Sequence, residues 1–356
     1  MAAPKGAGAC AELLATHAAE AGLASALDPA PRTHDLTALL GSNPFLMAPM
    51  AGVSDAAYRV MARAGGAGFA YTEMVSVAGI HYGGEKTWEL VVPEEAEPDI
   101  AVQLFGSKPD QFAEAAEAVS ERLGSKLALI DINMACPVPK VTRKGEGSAL
   151  MRDPETAAKI VRAVCEHTEV PVTAKIRRGF DMGEELAVPF ARAMEEAGIS
   201  AIAVHGRYAK QLYRGKASWE TVADVAAAVS VPVIGSGDVL TAQAARRMLS
   251  DCGCAAVMVA RGSYGNPWIF RDAEEDAAPT HSLEERLAAF SLHVRLLEAT
   301  DAHLARARSL AGWYLKGLPN AAAWRERAMH CQSAEEYLEL IEAAGATIPE
   351  AGQDRA

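Results

Sequence analysis

The sequence lacks several features that would define its class at once. Its six cysteines are scattered over 356 residues without a Cys-x-x-Cys pair, which argues against a disulfide framework and against a zinc site. No run of about 18 apolar residues occurs, and the N-terminus has no uninterrupted apolar segment of the kind found in secretory signals. We therefore expect a soluble cytoplasmic protein with no membrane partner and no bound metal.

Cations are also in short supply. The chain has 34 Lys and Arg residues against 46 Asp and Glu residues, with a formal net charge of -12. A generic nucleic-acid-binding protein carries a basic surface, so this composition is compatible only with a local basic patch. Hydrophobic residues make up 50% of the chain, which is enough for one large domain and a smaller one.

Short apolar strands alternate with amphipathic helices from Phe45 onward. Eight such units over about 250 residues favour parallel strands closed into a (β/α)8, or TIM, barrel. The predicted strands are 45–48, 69–73, 100–104, 127–132, 172–176, 201–204, 233–234 and 255–259. The predicted helices are 54–64, 109–123, 154–166, 184–197, 219–229 and 242–249, with Ser54, Asp153 and Thr241 as N-caps. Residues 79–98 are rich in Gly and Pro and predict an elaborated loop.

The pattern divides the chain into three segments. Residues 1–33 form an Ala-rich extension in which a surface helix over 11–27 is allowed, and we expect it to be mobile or species-specific. Residues 34–279 form the barrel. Residues 280–356 form a smaller all-helical domain, with helices predicted over 282–298, 303–315, 321–329 and 334–343.

A thiol follows the fourth predicted strand. The apolar run over 127–132 ends at Asn133, and Cys136 comes next on a segment that Pro137 and Pro139 keep out of a helix. Cysteine is often a buried structural residue, but a loop cysteine flanked by polar residues has no core to fill. The cations that follow it suit an anionic substrate; they are Lys140, Arg143 and Lys144.

Other strands also end in chemically useful side chains, and active sites of TIM barrels lie at these ends. The residues are Pro49, Met50 and Ala51 after strand one, Gln103 on strand three, Lys175 and Arg177 on strand five, His205 and Arg207 on strand six, Ser236, Gly237 and Asp238 on strand seven, and Ala260 and Arg261 on strand eight. Gly237 and Gly262, with a short helical segment over 263–270, indicate a phosphate-bearing cofactor.

The C-terminal helices carry an excess of basic residues on an otherwise acidic protein. Glu326 is the one acidic residue between residues 303 and 330. The basic residues there are Arg306, Arg308, Lys316, Arg325 and Arg327. A solvated helix surface explains this excess as readily as a binding face does. Rim loops of the same sign favour contact with an RNA backbone.

These motifs resemble those of bacterial tRNA-dihydrouridine synthases, most closely the B-type branch, over about residues 43–343. The matching segments are 48–55, 72–76, 102–104, 131–137, 147–150, 175–177, 205–207 and 266–270. The sequence departs from the usual pattern at Ala135, Thr142, Ser236 and Ala260. None of these removes a reacting group, so we expect altered packing or affinity rather than lost activity.

The resemblance implies an FMN-binding barrel with an appended helical domain that helps to bind tRNA. Such an enzyme is an oxidoreductase that reduces the C5–C6 double bond of specific uridines in the tRNA D-loop, with NADPH or NADH as reductant. Hydride passes from flavin N5 to C6, and Cys136, as a thiol of pKa near ~8.5, gives its proton to C5. No obligate protein partner is implied.

The resemblance also implies residue roles. Cys136 is catalytic. The cofactor-binding residues are Pro49, Met50, Ala51, Gln103, Lys175, His205, Ser236, Gly237, Asp238, Ala260 and Arg261. The residues assigned to the uracil or to tRNA are Asn133, Lys140, Arg143, Lys144, Arg177, Arg207, Arg306, Arg325 and Arg327. Two alternatives stay open: a flavin-dependent oxidoreductase that acts on a free pyrimidine, and a non-catalytic tRNA-binding protein.

Overall fold

Eight parallel strands form the centre of the structure, a computed structural model in which residues 6, 8–27, 35–277 and 280–348 are described. The strands are β1 (Phe45–Met47), β2 (Val75–Ser76), β3 (Ile100–Phe105), β4 (Leu127–Asn133), β5 (Val172–Arg177), β6 (Ala201–His205), β7 (Val233–Ser236) and β8 (Ala256–Val259). Consecutive strands from β2 to β8 pair in parallel, and β8 pairs with β1.

Residues 70 and 71 close the sheet into a barrel. Met47 forms a parallel bridge with Ala70, and Tyr71 forms one with Ala101, so this segment joins β1 to β3. The predicted TIM barrel is confirmed. The segment 69–73 was predicted as one continuous strand, but it pairs with β1 only at Ala70 and then with β3 at Tyr71. A continuous ladder with β3 forms only at β2.

The described helices alternate with the strands and then continue alone. They are α1 (Ala9–His17), α2 (Leu36–Ser42), α3 (Ala56–Ala64), α4 (Val77–His81), α5 (Glu85–Trp88), α6 (Pro109–Leu123), α7 (Pro139–Thr142), α8 (Pro154–Cys165), α9 (Ala187–Glu196), α10 (Trp219–Ala228), α11 (Ala242–Asp251), α12 (Ile269–Glu274), α13 (Leu283–Ala299), α14 (Arg306–Tyr314), α15 (Ala321–Ala328) and α16 (Ala334–Gly345). The predicted elaborated loop over 79–98 contains only short helical turns.

Two of the three predicted N-caps are correct. Asp153 and Thr241 accept hydrogen bonds from amides of the first turns of α8 and α11. The third prediction was wrong, because Asp55 rather than Ser54 caps α3. Ser54 instead bonds to both the N–H and the carbonyl of Met50, at 2.9 and 3.1 Å, and so closes the loop after β1.

The N-terminal segment belongs to a second hydrophobic core, which it shares with α13–α16. Leu13, Leu14 and Ala18 are buried in this core, and Trp268 Nε1 donates to the carbonyl of Ala21 at 2.7 Å. The expectation of a mobile extension is therefore wrong for residues 8–27, where Cys10, Leu13 and Leu14 pack α1 into the core that it shares with α13.

The three-segment division itself stays a prediction. Its boundaries at 33/34 and at 279/280 fall on or beside residues outside the described ranges, as does the C-terminal end over 349–356. Within the described ranges, α3 contributes to both cores. Tyr58 and Ala62 pack with the barrel, whereas Val60 and Met61 pack with the C-terminal helices. No helix in these ranges has the length and hydropathy needed to cross a bilayer.

Shortening Leu14 tests whether the N-terminal helix is part of the folded core. Leu14 is fully buried, so Leu14→Ala should lower the free energy of unfolding by about 2 to 5 kcal/mol through lost burial and the cavity left behind. The measurement is urea unfolding followed by circular dichroism. Glu12→Ala, on the exposed side of the same helix, is the control and should have little effect. Equal stability of the two variants would mean that α1 is not packed.

Candidate active site

A large cavity opens where the strands end. Its volume is about 620 Å³, within the range typical of sites for cofactors and drug-sized ligands. All eleven residues predicted to bind a cofactor line it, together with Cys136, Asn133, Lys140 and Arg177. The rim loops, numbered here after the strand that each follows, therefore converge as the strand-end rule predicts.

A chain of buried hydrogen bonds forms the floor of the cavity. Asp131 accepts from Gln103 Nε2 at 2.6 Å and from Thr173 Oγ1 at 2.7 Å. Gln103 Oε1 accepts from Asn133 Nδ2 at 2.7 Å, and Asn133 Oδ1 accepts from the amide of Cys136 at 2.9 Å. These bonds fix the amide orientations of Gln103 and Asn133, and Asn133 thereby positions loop four.

Lys175 supplies an unpaired charge at the cavity wall. Its Nζ is buried and makes no hydrogen bond to the described residues, although the side chain lines the cavity. Burial lowers the pKa of Lys175 to about 8, with the Arg177 guanidinium adding to this effect and Asp131 opposing it. The ammonium is therefore still the main form at pH 7 and lacks an acceptor, which suits a polar ligand atom in the cavity.

Cys136 is half-buried on loop four, where its backbone is held from two sides. Its carbonyl accepts from the amide and the hydroxyl of Ser148, at 3.0 and 2.9 Å. Gly147 has a φ of 61°, and a side chain there would approach that carbonyl to 2.8 Å. Burial raises the pKa of the Cys136 thiol above its ordinary value; the Val138 amide and the Arg177 charge act weakly in the other direction. The thiol is thus protonated at neutral pH.

Arg177 ties loop four to loop six rather than projecting freely into the cavity. Its Nε donates to the carbonyl of Ala135 at 2.7 Å, and its Nη1 donates to the carbonyls of Tyr208 and Leu212 at 3.1 and 3.2 Å. Only 2% of the residue is exposed. Arg177 is therefore a fixed cation of the cavity wall, in the neighbourhood of the Cys136 thiol.

Asp238 organises the side of the cavity built by loops six to eight. Its carboxylate accepts two 2.7 Å bonds from Arg207, lies 3.2 Å from Arg261 and accepts from the amide of Ala217. Gly237 has a φ of 114°, and a side chain there would collide with Ala217 and His205. Gly237 and Arg261 both line the cavity, so this turn offers backbone and a cation to an anionic group.

The helical segment predicted over 263–270 does not contribute its N-terminus to this turn. Neither Gly262 nor any residue of α12 lines the cavity, and a short 3-10 turn over Arg261–Ser263 follows β8 directly. The segment before α12 is committed elsewhere, because Trp268 is buried and bonds to the N-terminal segment.

His205 lines the cavity as a neutral side chain. Burial, followed by the charges of Lys175, Arg177 and Arg207, holds its pKa well below the ordinary value. Arg207 Nη1 lies 3.3 Å from His205 Nε2. Arg207 itself is 1% exposed and paired with Asp238, so its predicted contact with tRNA is wrong; it supports the cavity from behind.

The remaining predicted tRNA-binding residues divide into two groups. Lys140, Arg143 and Lys144 are exposed on or next to α7 at the rim, and Arg325 and Arg327 lie on α15 away from the cavity. Arg306 differs from them, because it forms ion pairs with Asp55 and Glu73. A phosphate would have to displace these carboxylates, so we remove Arg306 from the predicted tRNA-binding set.

Comparison with known proteins agrees with the geometry. A model of the dihydrouridine synthase family matches residues 46–349. The tRNA-dihydrouridine synthase B of Pseudomonas aeruginosa is 38% identical over 291 residues, which cover 80% of this chain and 87% of that protein. The tRNA-dihydrouridine synthase B of Xanthomonas axonopodis pv. citri is 37% identical over 324 residues, which cover 87% and 96%. The chain belongs to the dihydrouridine synthase family.

The resemblance found in the sequence is thereby confirmed, and membership of this family implies a flavin-dependent enzyme. Three departures from the usual family pattern touch the cavity: Ala135, Ser236 and Ala260. None of them has a positive φ, so the backbone at Ala135 and Ala260 does not require glycine. Of the described residues, no group of three or more His, Cys, Asp or Glu side chains is arranged to hold a metal ion.

Several residues that line the cavity were not predicted. They include Met74, Tyr213, Val239, Leu240 and Tyr264. Tyr213 is 60% exposed, and the guanidinium carbons of Arg177 and Arg261 lie 5.9 and 5.6 Å from its ring centre. Its place among the cations of loop six, near Arg214 and Lys216, was a signal available in the sequence.

The raised pKa of Cys136 can be measured through its reactivity. Only the thiolate is alkylated, and a buried thiol keeps its proton to higher pH. We expect the rate of iodoacetamide labelling of Cys136, followed by mass spectrometry from pH 7 to pH 10.5, to have a midpoint above that of free glutathione measured alongside. A midpoint below that of glutathione would contradict the raised pKa, and a labelling rate already at its maximum at pH 7 would mean that the group is a thiolate at neutrality and would remove its role as an acid.

Proposed function

We propose that the protein is a tRNA-dihydrouridine synthase that uses FMN and is reduced by NADPH or NADH. The observation that carries this proposal is one cavity, in a chain of this family, that holds both a protonated thiol at Cys136 and an unpartnered ammonium at Lys175. The thiol can supply the proton that reduction of a uracil ring needs, and the ammonium can stabilise an anionic reduced flavin.

The lining of the cavity suits a flavin mononucleotide. Apolar surface comes from Ala48, Met50 and Met258, and Gly237 and Arg261 offer backbone and charge for a phosphate. Lys175 would face the ring, where a fixed positive charge favours a form that carries negative charge. When bound, reduced FMN supplies the hydride that adds to C6 of the uracil ring.

Cys136 then has a defined task. Addition of hydride at C6 leaves negative charge at C5, which must be protonated, and the protonated thiol is a suitable general acid. Asn133 bonds to the amide of Cys136 and Ser148 to its carbonyl, so the backbone that carries the thiol is fixed by the fold. The nearby Arg177 guanidinium stabilises the thiolate that remains after proton transfer.

The target uridine must leave its stack to enter a cavity enclosed by rim loops. Lys140, Arg143 and Lys144 are exposed on the rim where the flanking phosphates of such a nucleotide would pass. These cations distinguish a polynucleotide substrate from a free pyrimidine, which would not need them. We propose that Arg325 and Arg327 contact more distant parts of the tRNA.

Mapping of dihydrouridine tests the reaction and the role of Cys136 together. In tRNA from a strain without this gene, dihydrouridine should be lost at a defined D-loop position and restored by the wild-type gene. Cys136→Ala should bind FMN and tRNA normally but restore little, because removing a general acid slows turnover by about 100-fold or more. Unchanged dihydrouridine in the deletion strain, with no other synthase acting on tRNA, would refute the proposal and direct attention to free pyrimidines.

The contribution of the C-terminal helices to tRNA binding has a salt signature. Each lost phosphate contact reduces the slope of log K against log salt by about 0.7 to 0.9. Arg325→Gln with Arg327→Gln should therefore weaken binding and flatten the slope by about 1 to 2. The matched control is Arg122→Gln with Arg192→Gln, which removes two exposed charges from the outer helices α6 and α9. Equal slopes in the two double variants would place the tRNA elsewhere.

A further inference from the structure

Helix α14 contacts the barrel rim at both of its ends. At its N-terminal end, Arg306 Nε lies 3.2 Å from Asp55 Oδ2, and Arg306 Nη2 donates to Glu73 Oε1 at 2.8 Å. At its C-terminal end, the Trp313 ring stacks on Tyr264, with ring centres 4.0 Å apart and planes 16° apart. One helix outside the barrel therefore contacts loops that follow different strands.

The Arg306 contact reaches the cavity through loop one. The second oxygen of Glu73 accepts from the amide of Gly52 at 2.5 Å. Gly52 directly follows Pro49, Met50 and Ala51, whose atoms line the cavity. The two carboxylates that bind Arg306 have side chains 12% exposed and the Arg306 side chain is 28% exposed, so water screens these ion pairs only in part. Without the guanidinium, two half-buried carboxylates would repel each other beside loop one.

The Trp313 contact reaches the cavity through loop eight. Tyr264 lines the cavity, and the Trp313 ring stacks on the Tyr264 ring. The approach of the two backbones is close, because a side chain at Gly265 would come within 2.8 Å of the Trp313 carbonyl carbon. Loop eight also carries Arg261, so α14 supports the loop that bears the cation of the proposed phosphate subsite.

We propose that α14 sets the shape of the cofactor cavity, with Arg306 and Trp313 as positioning residues for loops one and eight. Ordinary packing between two parts of a protein affects stability alone. Here both contacts end on residues that line the cavity or directly adjoin it, so loosening either one should change ligand affinity in a protein that stays folded. The inference rests on the proposed function in taking FMN as the ligand.

The test is the Kd for FMN, measured by quenching of flavin fluorescence on full-length protein freed of flavin. Arg306→Gln and Trp313→Leu should each raise the Kd by about 3-fold or more, the range seen for residues that couple sites without touching the ligand. Arg306→Lys and Trp313→Phe should recover part of the affinity, since they keep the charge and the stacking ring. Circular dichroism at the assay temperature confirms that each variant is folded.

Arg308→Gln is the matched control for Arg306→Gln. Arg308 is exposed on the same helix, and it hydrogen-bonds to Tyr337 within the C-terminal helices. Its loss should leave the Kd for FMN unchanged. If Arg306→Gln does not fold, Glu73→Gln replaces it, because glutamine still accepts from the Gly52 amide but no longer pairs with the guanidinium.

The outcomes separate this inference from the function on which it rests. If the Arg306 and Trp313 variants both bind FMN with the wild-type Kd, the inference alone is overturned. An effect of Arg308→Gln as large as that of Arg306→Gln overturns it too, since the loss would then reflect charge in general. A wild-type protein that binds no FMN overturns both. Loss of affinity in the two variants and not in the control supports it.

Discussion

The carboxylate of Asp131 is the interaction on which the floor of the cavity depends. It is fully buried in β4, and its oxygens accept hydrogen bonds from side chains on β3 and β5. Through Gln103 and Asn133 it fixes the start of the loop that carries Cys136. Burial raises the pKa of Asp131 to about 6, and the opposite charge of Lys175 acts against this rise. Each of these two opposite charges lowers the free-energy cost of burying the other.

Much of this site was predictable because parallel strands place their carboxyl ends at one rim whatever the loops do. Lys175 and His205 lie 30 positions apart in the sequence, yet the register of β5 with β6 brings Arg177 opposite His205 and Lys175 opposite Ala203. The alternation of strands and helices predicted the barrel, and the polar residue at each strand end then predicted the cavity lining. Loop conformation was not needed for either step.

The wrong predictions for Arg306, Arg207 and the N-terminal segment share a different physical origin. A basic residue can meet a phosphate in solution or a carboxylate of its own chain, and the sign of its charge does not tell which. Arg306 pairs with Glu73, 233 positions away, and Arg207 pairs with Asp238, 31 positions away. Leu13 and Leu14 of α1 likewise carry no local sign that they pack in the core shared with α13. Pairings between distant segments follow from tertiary packing, which composition and periodicity do not specify.

The acidic composition and the cationic cavity are compatible because charge acts locally. At physiological salt the field of an exposed charge is largely screened beyond about 8 Å, so surface carboxylates have little effect inside the barrel. Within the cavity Asp238 is already paired with Arg207 and His205 is neutral. Lys175 has no acceptor, and Arg177 bonds only to neutral carbonyls among the described residues. Asp131 offsets part of the Lys175 charge, but Lys140, Arg177 and Arg261 also line the cavity. Positive charge therefore exceeds negative charge among the lining side chains, which suits an anionic ligand.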